Sequence, residues 1–257
     1  MNPYSSPVRN FLIILSIVSF ASLNSKIAAQ TRPVGRNVAI VIDERLSVLR
    51  ASPELSGKLL RRIGRGRPLN ITGWRRSRDG VLFYSVTVTR RTRGWIQREA
   101  VIVPRRSGDD ERLLRLIEAS ADFDRLARAR IFLDAFPRSY FRPHVLLIFG
   151  DAAEKAAIKL SQEAARRLNL EEMQANGASL YSYALNYAGL DRYNRQGVRF
   201  VFDREQQKLH YQGASWREII RRYPKSAEAS EARLRLAGIL VRTNTEKNER
   251  PSESIAP

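Results

Sequence analysis

Between Asn37 and Val103 the apolar positions come in short runs rich in β-branched and aromatic residues, at Val38–Ile42, Leu46–Leu49, Leu59–Ile63, Pro68–Thr72, Val81–Thr89, Gly94–Ile96 and Ala100–Val103. Turn-forming stretches separate them, among them Ala51-Ser52-Pro53, Gly64-Arg65-Gly66 and Ser77 to Gly80. Short strands at close spacing predict a small β-barrel or sandwich over residues 37–104. The alternation stops at Pro104, so residues 105–109 read as a linker. After it the apolar period becomes helical: Leu113, Leu114 and Ile117 share one face behind a capping Ser107 or Asp109. Further helical stretches follow at 122–135, 143–168, 171–190, 214–222 and 227–241.

Two helical stretches end alike. Phe132-Leu133 leads to Phe136-Pro137-Arg138-Ser139, and Ile219-Ile220 leads to Tyr223-Pro224-Lys225-Ser226. The proline cannot continue the helix and the serine suits the start of the next, so each predicts a tight helical hairpin. Val198–Phe202 and Lys208–Tyr211 alternate as strands, which predicts a β-hairpin inserted near 198–211. Residues 243–257 are polar and aperiodic and read as a tail beyond the helical region 110–242.

The N-terminus has a different character. Arg9 precedes the apolar run Phe11–Ser22, and Ala28 and Ala29 follow, the order of a secretory signal peptide over residues 1–30 with a short leader at 31–36. Twelve apolar residues fall short of the roughly 20 that a spanning helix needs. Export to the periplasm or another extracytoplasmic space is therefore expected, with membrane contact only through that signal; a retained anchor is the alternative. The chain has no cysteine, which excludes disulfides, thiolate metal sites and a cysteine nucleophile.

Net charge is +19, and its placement matters more than its size. Residues 45–106 hold sixteen basic side chains against three acidic ones, whereas from Ser107 onward the two signs nearly balance. The expected partners of that first segment are polyanions. Its candidate ligand-binding residues are Arg61, Arg62, Arg65, Arg67, Arg75, Arg76 and Arg78, with Trp74 and Trp95 as aromatic platforms. A solvated basic surface that only aids solubility is the competing reading. Trp74 sits at an arginine-rich loop, where a large ring has little core to enter. Trp95 is assigned an inward or half-inward place by the strand pattern, and a groove position would give it stacking and cation–π contacts instead.

Residues 46–103 resemble the bacterial-type SH3-like domain: Arg50 before Pro53, Gly66 before Leu69–Ile71, Asp79-Gly80 before Phe83-Tyr84, and Gly94-Trp95-Ile96 before Ala100–Val103. The start reads Ser47-Val48-Leu49-Arg50 where that family has Leu-Asn-Val-Arg. Residues 122–241 are similar to tetratricopeptide-type repeats, best over Trp216–Ala232, with two copies 87 residues apart. The resemblances imply a multidomain β + α protein, an SH3-like barrel followed by a tetratricopeptide-like domain of α-α hairpins. They imply a barrel tethered to peptidoglycan or another anionic envelope polymer, and helices that scaffold an envelope protein.

Catalytic chemistry finds little to stand on. The only imidazoles are His144 and His210, and neither has a histidine or carboxylate at ligand spacing. Acidic residues such as Asp109–Glu111, Asp122 and Asp124 fall at helix starts, where carboxylates favour the helix dipole. Tyr181, Tyr183 and Tyr187 fall at helical spacing and read as core. The expectation is a non-enzymatic protein with no cofactor, no metal and no nucleic-acid partner. The alternatives are a protein–protein adaptor without wall affinity and, further off, a degenerate cell-wall hydrolase.

Overall fold

The computed structural model describes residues 37–167 and 170–248; the signal-peptide and leader stretches and residues 249–257 lie outside them. Seven strands come first: β1 Val38–Val41, β2 Val48–Arg50, β3 Leu59–Arg62, β4 Pro68–Arg76, β5 Leu82–Thr89, β6 Thr92–Gln97 and, after a 3-10 turn at Arg98–Ala100, β7 Val101–Ile102. They form one antiparallel sheet in the order β3-β2-β6-β5-β4-β1-β7. The end strands β3 and β7 do not pair with each other, so the sheet is an open half-barrel. This corrects the expectation of a small SH3-like barrel.

The reason for the opening lies at the β1–β7 end. The inner face of the sheet holds a core of its own, with Ala39, Val41, Leu49, Leu69, Val86 and Ile96 all nearly inaccessible. Ile42, just past β1, and Ile102 of β7 belong instead to the larger helical core. The helices take the surface that closure would have sealed. The sheet edge at β7 is capped from α1 (Asp109–Glu118): Asp109 Oδ2 accepts from the Val103 amide at 2.7 Å, and Arg112 donates to the Val101 carbonyl. A covered edge cannot recruit another strand.

The remaining elements are α2 Asp122–Ala135, α3 Arg142–Arg167, α4 Leu170–Asn176, α5 Leu180–Leu185, α6 Asp191–Asn194, the hairpin β8 Phe200–Asp203 with β9 Lys208–Tyr211, α7 Ala214–Arg222 and α8 Ala227–Asn248. The long α3 is the axis, packed by α2, α7, α8 and β9. Both proline turns form the same structure. Phe136 N donates to Phe132 O and Ser139 N to Phe136 O, while Tyr223 N donates to Ile219 O and Ser226 N to Tyr223 O. Yet the two helix pairs do not stack as consecutive repeats. Three short helices and the β8–β9 hairpin intervene, and β9 packs on α3, so the expected tetratricopeptide-like domain is replaced by helices built around one axis and continuous with the sheet.

Local chemistry explains where other elements depart from the sequence pattern. The stretch 171–190 breaks because Gly177 adopts φ +72° and ends α4, which leaves Tyr181 exposed rather than in the core. Gly150 sits inside α3, where a β-carbon would lie 2.3 Å from Trp216 Nε1, so α7 reaches α3 only because residue 150 has no side chain. Among the described residues no helix is long and apolar enough to cross a membrane.

Candidate anion-binding face of the sheet

Strand register decides which arginines share a surface, because residues directly opposite each other point to the same side. Leu59 of β3 faces Arg50 of β2, Arg50 faces Trp95 of β6, Trp95 faces Ser85 of β5, and Ser85 faces Gly73 of β4. This row runs across five strands on the side opposite the Leu49–Ile96 core. One step along it, Gln97, Phe83 and Arg75 align; one step the other way, Arg93 aligns with Thr87 and Asn70. The result is a face on which a half-buried Trp95 and a fully buried Phe83 lie among small polar residues and arginines.

Trp95 reaches this place through Gly94. A β-carbon on Gly94 would lie 2.6 Å from the Arg50 carbonyl oxygen and 2.8 Å from Leu49 Cγ, so β2 closes on β6 only at a glycine. The Arg75 guanidinium carbon lies 6.0 Å from the centroid of the Trp95 ring, at the outer limit of a cation–π contact.

The sequence candidates do not form one cluster. Arg75 lies on the outer face, whereas Trp74 and Arg76 align with Tyr84 and Leu82 and belong to the inner side. Trp74 is 70% exposed because β1 pairs with β4 only as far as Asn70, which leaves β4 locally at an edge among the described residues. Arg76 donates to the Gly80 carbonyl at 2.7 Å and so closes its own hairpin. Arg61 and Arg62 lie exposed on the edge strand β3, and Arg67 and Arg78 are exposed at turns. Arg65 is withdrawn from ligands: its Nη1 donates to Asp124 Oδ1 at 2.9 Å, joining sheet to α2.

Sequence reasoning missed Arg50 and Arg93, which register places beside Trp95, and missed the apolar edge of Leu55, Leu59 and Leu60, each 42–50% exposed. Only the unusual Leu-Leu-Arg-Arg composition of β3 hinted at an unpartnered edge.

Charge pairing is sparse across the sheet segment, where Arg45 and Arg65 are the arginines paired with carboxylates among the described residues. Arg61, Arg62, Arg67, Arg75, Arg78 and Arg93 have no carboxylate at ion-pair distance among the described residues. Several helical arginines do, Arg115 with Glu111, Arg130 with Asp134, Arg142 with Glu218, and Arg235 with Asp151 and Glu231, while Arg125, Arg217, Arg221 and Arg233 have no ion pair among the described residues. Free guanidiniums at a surface can fork onto carboxylate or phosphate oxygens. The two histidines serve as structural partners, His144 against Glu118 at 3.2 Å and His210 against Glu154 at 3.1 Å. No group of three metal-ligating side chains comes together among the described residues.

In comparisons with known proteins, the chain matches no family model, no curated protein and no solved structure.

Proposed function

We propose that the protein is a non-enzymatic, exported binding protein that attaches through its sheet to an anionic envelope polymer of the peptidoglycan class, while its helices present a surface to a protein partner. The observation that carries this reading is the concentration of exposed arginines without a carboxylate partner on the sheet segment, Arg61, Arg62, Arg67, Arg75, Arg78 and Arg93, in a stretch of sixteen basic and three acidic residues. Solvated positive charge draws a polyanion from a distance, and forked guanidinium contacts then hold it. Trp95 offers a ring edge or face for stacking on the polymer's sugars or amides. The apolar run at residues 11–22 supports the extracytoplasmic setting.

A second reading rests on the β3 edge. Leu59 and Leu60 are exposed on a strand with one free side, and Leu55 is exposed in the turn before it, which favours a protein adaptor that gains a strand from its partner.

The test is co-sedimentation of the full-length chain with purified peptidoglycan across a salt series, beside an Arg75→Ser/Arg78→Ser/Arg93→Ser variant. Polymer binding predicts pelleting at low salt that fades as the Debye length shrinks from about 30 Å at 0.01 M to about 8 Å at 0.15 M, and weaker pelleting by the variant. Absence of pelleting at low salt refutes wall attachment and leaves the adaptor.

A further inference from the structure

A cleft of about 230 Å³ opens between the start of α2, one stripe of α3 and Tyr193 of α6. Its floor is apolar, formed by Ile148, Ala152 and Ala156, with the Tyr193 ring behind them. Its rim carries Asp122 and Arg125 from α2 and Lys155 and Lys159 from α3. The lysines are four residues apart on α3 and therefore stand on the same helical face.

The charges at this rim do not balance. Asp122 is the one rim carboxylate open to exchange, and it accepts from Lys159 Nζ at 2.5 Å. Asp151, also lining the cleft, is already held in a two-pronged pair by Arg235 at 2.7 and 3.1 Å. Arg125 is aimed by backbone carbonyls, donating from Nε to Ser120 O at 2.7 Å and from Nη2 to Glu118 O at 3.1 Å, and has no carboxylate partner among the described residues. Lys155 likewise has no ion pair among them. Three cations thus surround Asp122 over an apolar floor, and with Arg235, Asp151 and Glu231 counted the four cations exceed the three carboxylates by one. The Asp122 carboxyl is held below its ordinary value, first by the Lys159 hydrogen bond and charge and then by Lys155 and Arg125, so all three cations act on the same point.

The backbone marks the same place. Asp122 is one of two non-glycine residues in the described chain with left-handed φ, at +48°. That conformation is unfavourable for a residue with a β-carbon and persists where the surroundings impose it.

We propose that this cleft binds a small organic dianion, a phosphate monoester with a compact apolar or aromatic body. Arg125, Lys155 and Lys159 take the phosphate, and the floor of Ile148, Ala152, Ala156 and Tyr193 takes the organic part. Asp122 is the built-in counterion that the phosphate displaces from Lys159. A phosphate monoester carries about −1.5 to −2 at neutral pH, enough to engage Arg125, Lys155 and Lys159 together once Asp122 is displaced. The cleft is smaller than the roughly 300 Å³ at which sites for drug-sized ligands begin, so the organic part is compact.

The experiment is titration calorimetry of the full-length protein with phenyl phosphate, with inorganic phosphate and benzoate as comparison probes. Phenyl phosphate is expected to bind more tightly than either, because neither probe supplies both the dianion and the ring. Lys155→Ala/Lys159→Ala should weaken binding at least tenfold. Asp122→Asn should strengthen it several-fold, since it frees Lys159 and removes a negative charge; a residue that merely shaped the helix start would not improve affinity when altered. The Arg75→Ser/Arg78→Ser/Arg93→Ser variant should bind phenyl phosphate as the parent does, which separates this site from the sheet face. The proposal is overturned by absence of binding at millimolar phenyl phosphate in both the parent and Asp122→Asn. It is equally overturned if the lysine variant binds unchanged or if the sheet variant is the one that loses binding.

Discussion

Arg128→Met should lower stability by about 3 kcal/mol. Arg128 is only 3% exposed, although it lies in the middle of α2. Its Nε donates to the Ile42 carbonyl at 3.2 Å and its Nη1 to Ser120 Oγ at 2.6 Å, with carboxylate oxygens of Asp43 and Asp124 each 3.8 Å away. It therefore ties the end of β1 to the helices. Burial, followed by the charge of Arg65, pushes its guanidinium below the ordinary arginine value, so holding the charge there carries a cost. Two charge-assisted hydrogen bonds are worth about 1.5–3 kcal/mol each. Relief of guanidinium desolvation returns part of that gross loss. Methionine follows the arginine stem through the core but leaves the Ile42 carbonyl without this donor, while Asp43 keeps its pair with Arg45. At about 2–4 °C per kcal/mol for a chain of this size, the melting temperature should fall by roughly 6–12 °C. Calorimetry and urea melts followed by circular dichroism measure it. Arg130→Met, which breaks a part-exposed pair with Asp134, is the control and should cost less than about 1 kcal/mol. An Arg128→Met protein within about 1 kcal/mol of the parent, or more stable, refutes the assignment of Arg128 as the tie.

Two further outcomes follow from the sheet. Gly94→Ala places a β-carbon against the Arg50 carbonyl and Leu49, so β2 must retreat from β6 at a cost of about 1–3 kcal/mol in urea melts; an unchanged midpoint shows that the close approach is not required. Asp43 accepts from Arg45 Nε, Nη2 and backbone N, and the Arg45 hydrogen bond holds its carboxyl below the ordinary value against the opposing effect of burial. A depressed carboxylate contributes stability that is present above the unfolded value and lost as pH falls through the folded one. The parent should therefore lose melting temperature below about pH 4 more steeply than Asp43→Asn, which should melt lower than the parent at pH 7. Parallel acid limbs in the two proteins would contradict this.

Periodicity alone located much of the chain. The stretches 122–135 and 214–222 became α2 and α7 with the expected bounds, both proline turns formed helical hairpins, and residues 198–211 hold the β8–β9 hairpin. Strand positions were equally legible, but sheet closure was not, because a pattern of short strands does not show which neighbour will compete for Ile42 and Ile102. Register irregularities between Leu49 and Arg50, Ile71 and Gly73, and Thr87 and Thr89 then shifted which side chains share a face. Arg75 and Arg76 are adjacent in sequence and so fall on opposite sides, which divided a patch that looks continuous when read along the chain.

The amino-acid sequence by itself determined where the elements lie and that residues 45–106 carry a concentrated positive charge, since period and charge are properties of neighbouring residues. Tertiary structure alone decided which of those charges are free. A guanidinium already paired with a carboxylate is not available, and the Asp124 that occupies Arg65 comes from 59 residues away along the chain. The same holds for the cleft at Asp122, whose lysine arrives from 37 residues further on. Partners so distant in sequence are brought together by packing, and packing is what a one-dimensional pattern leaves open.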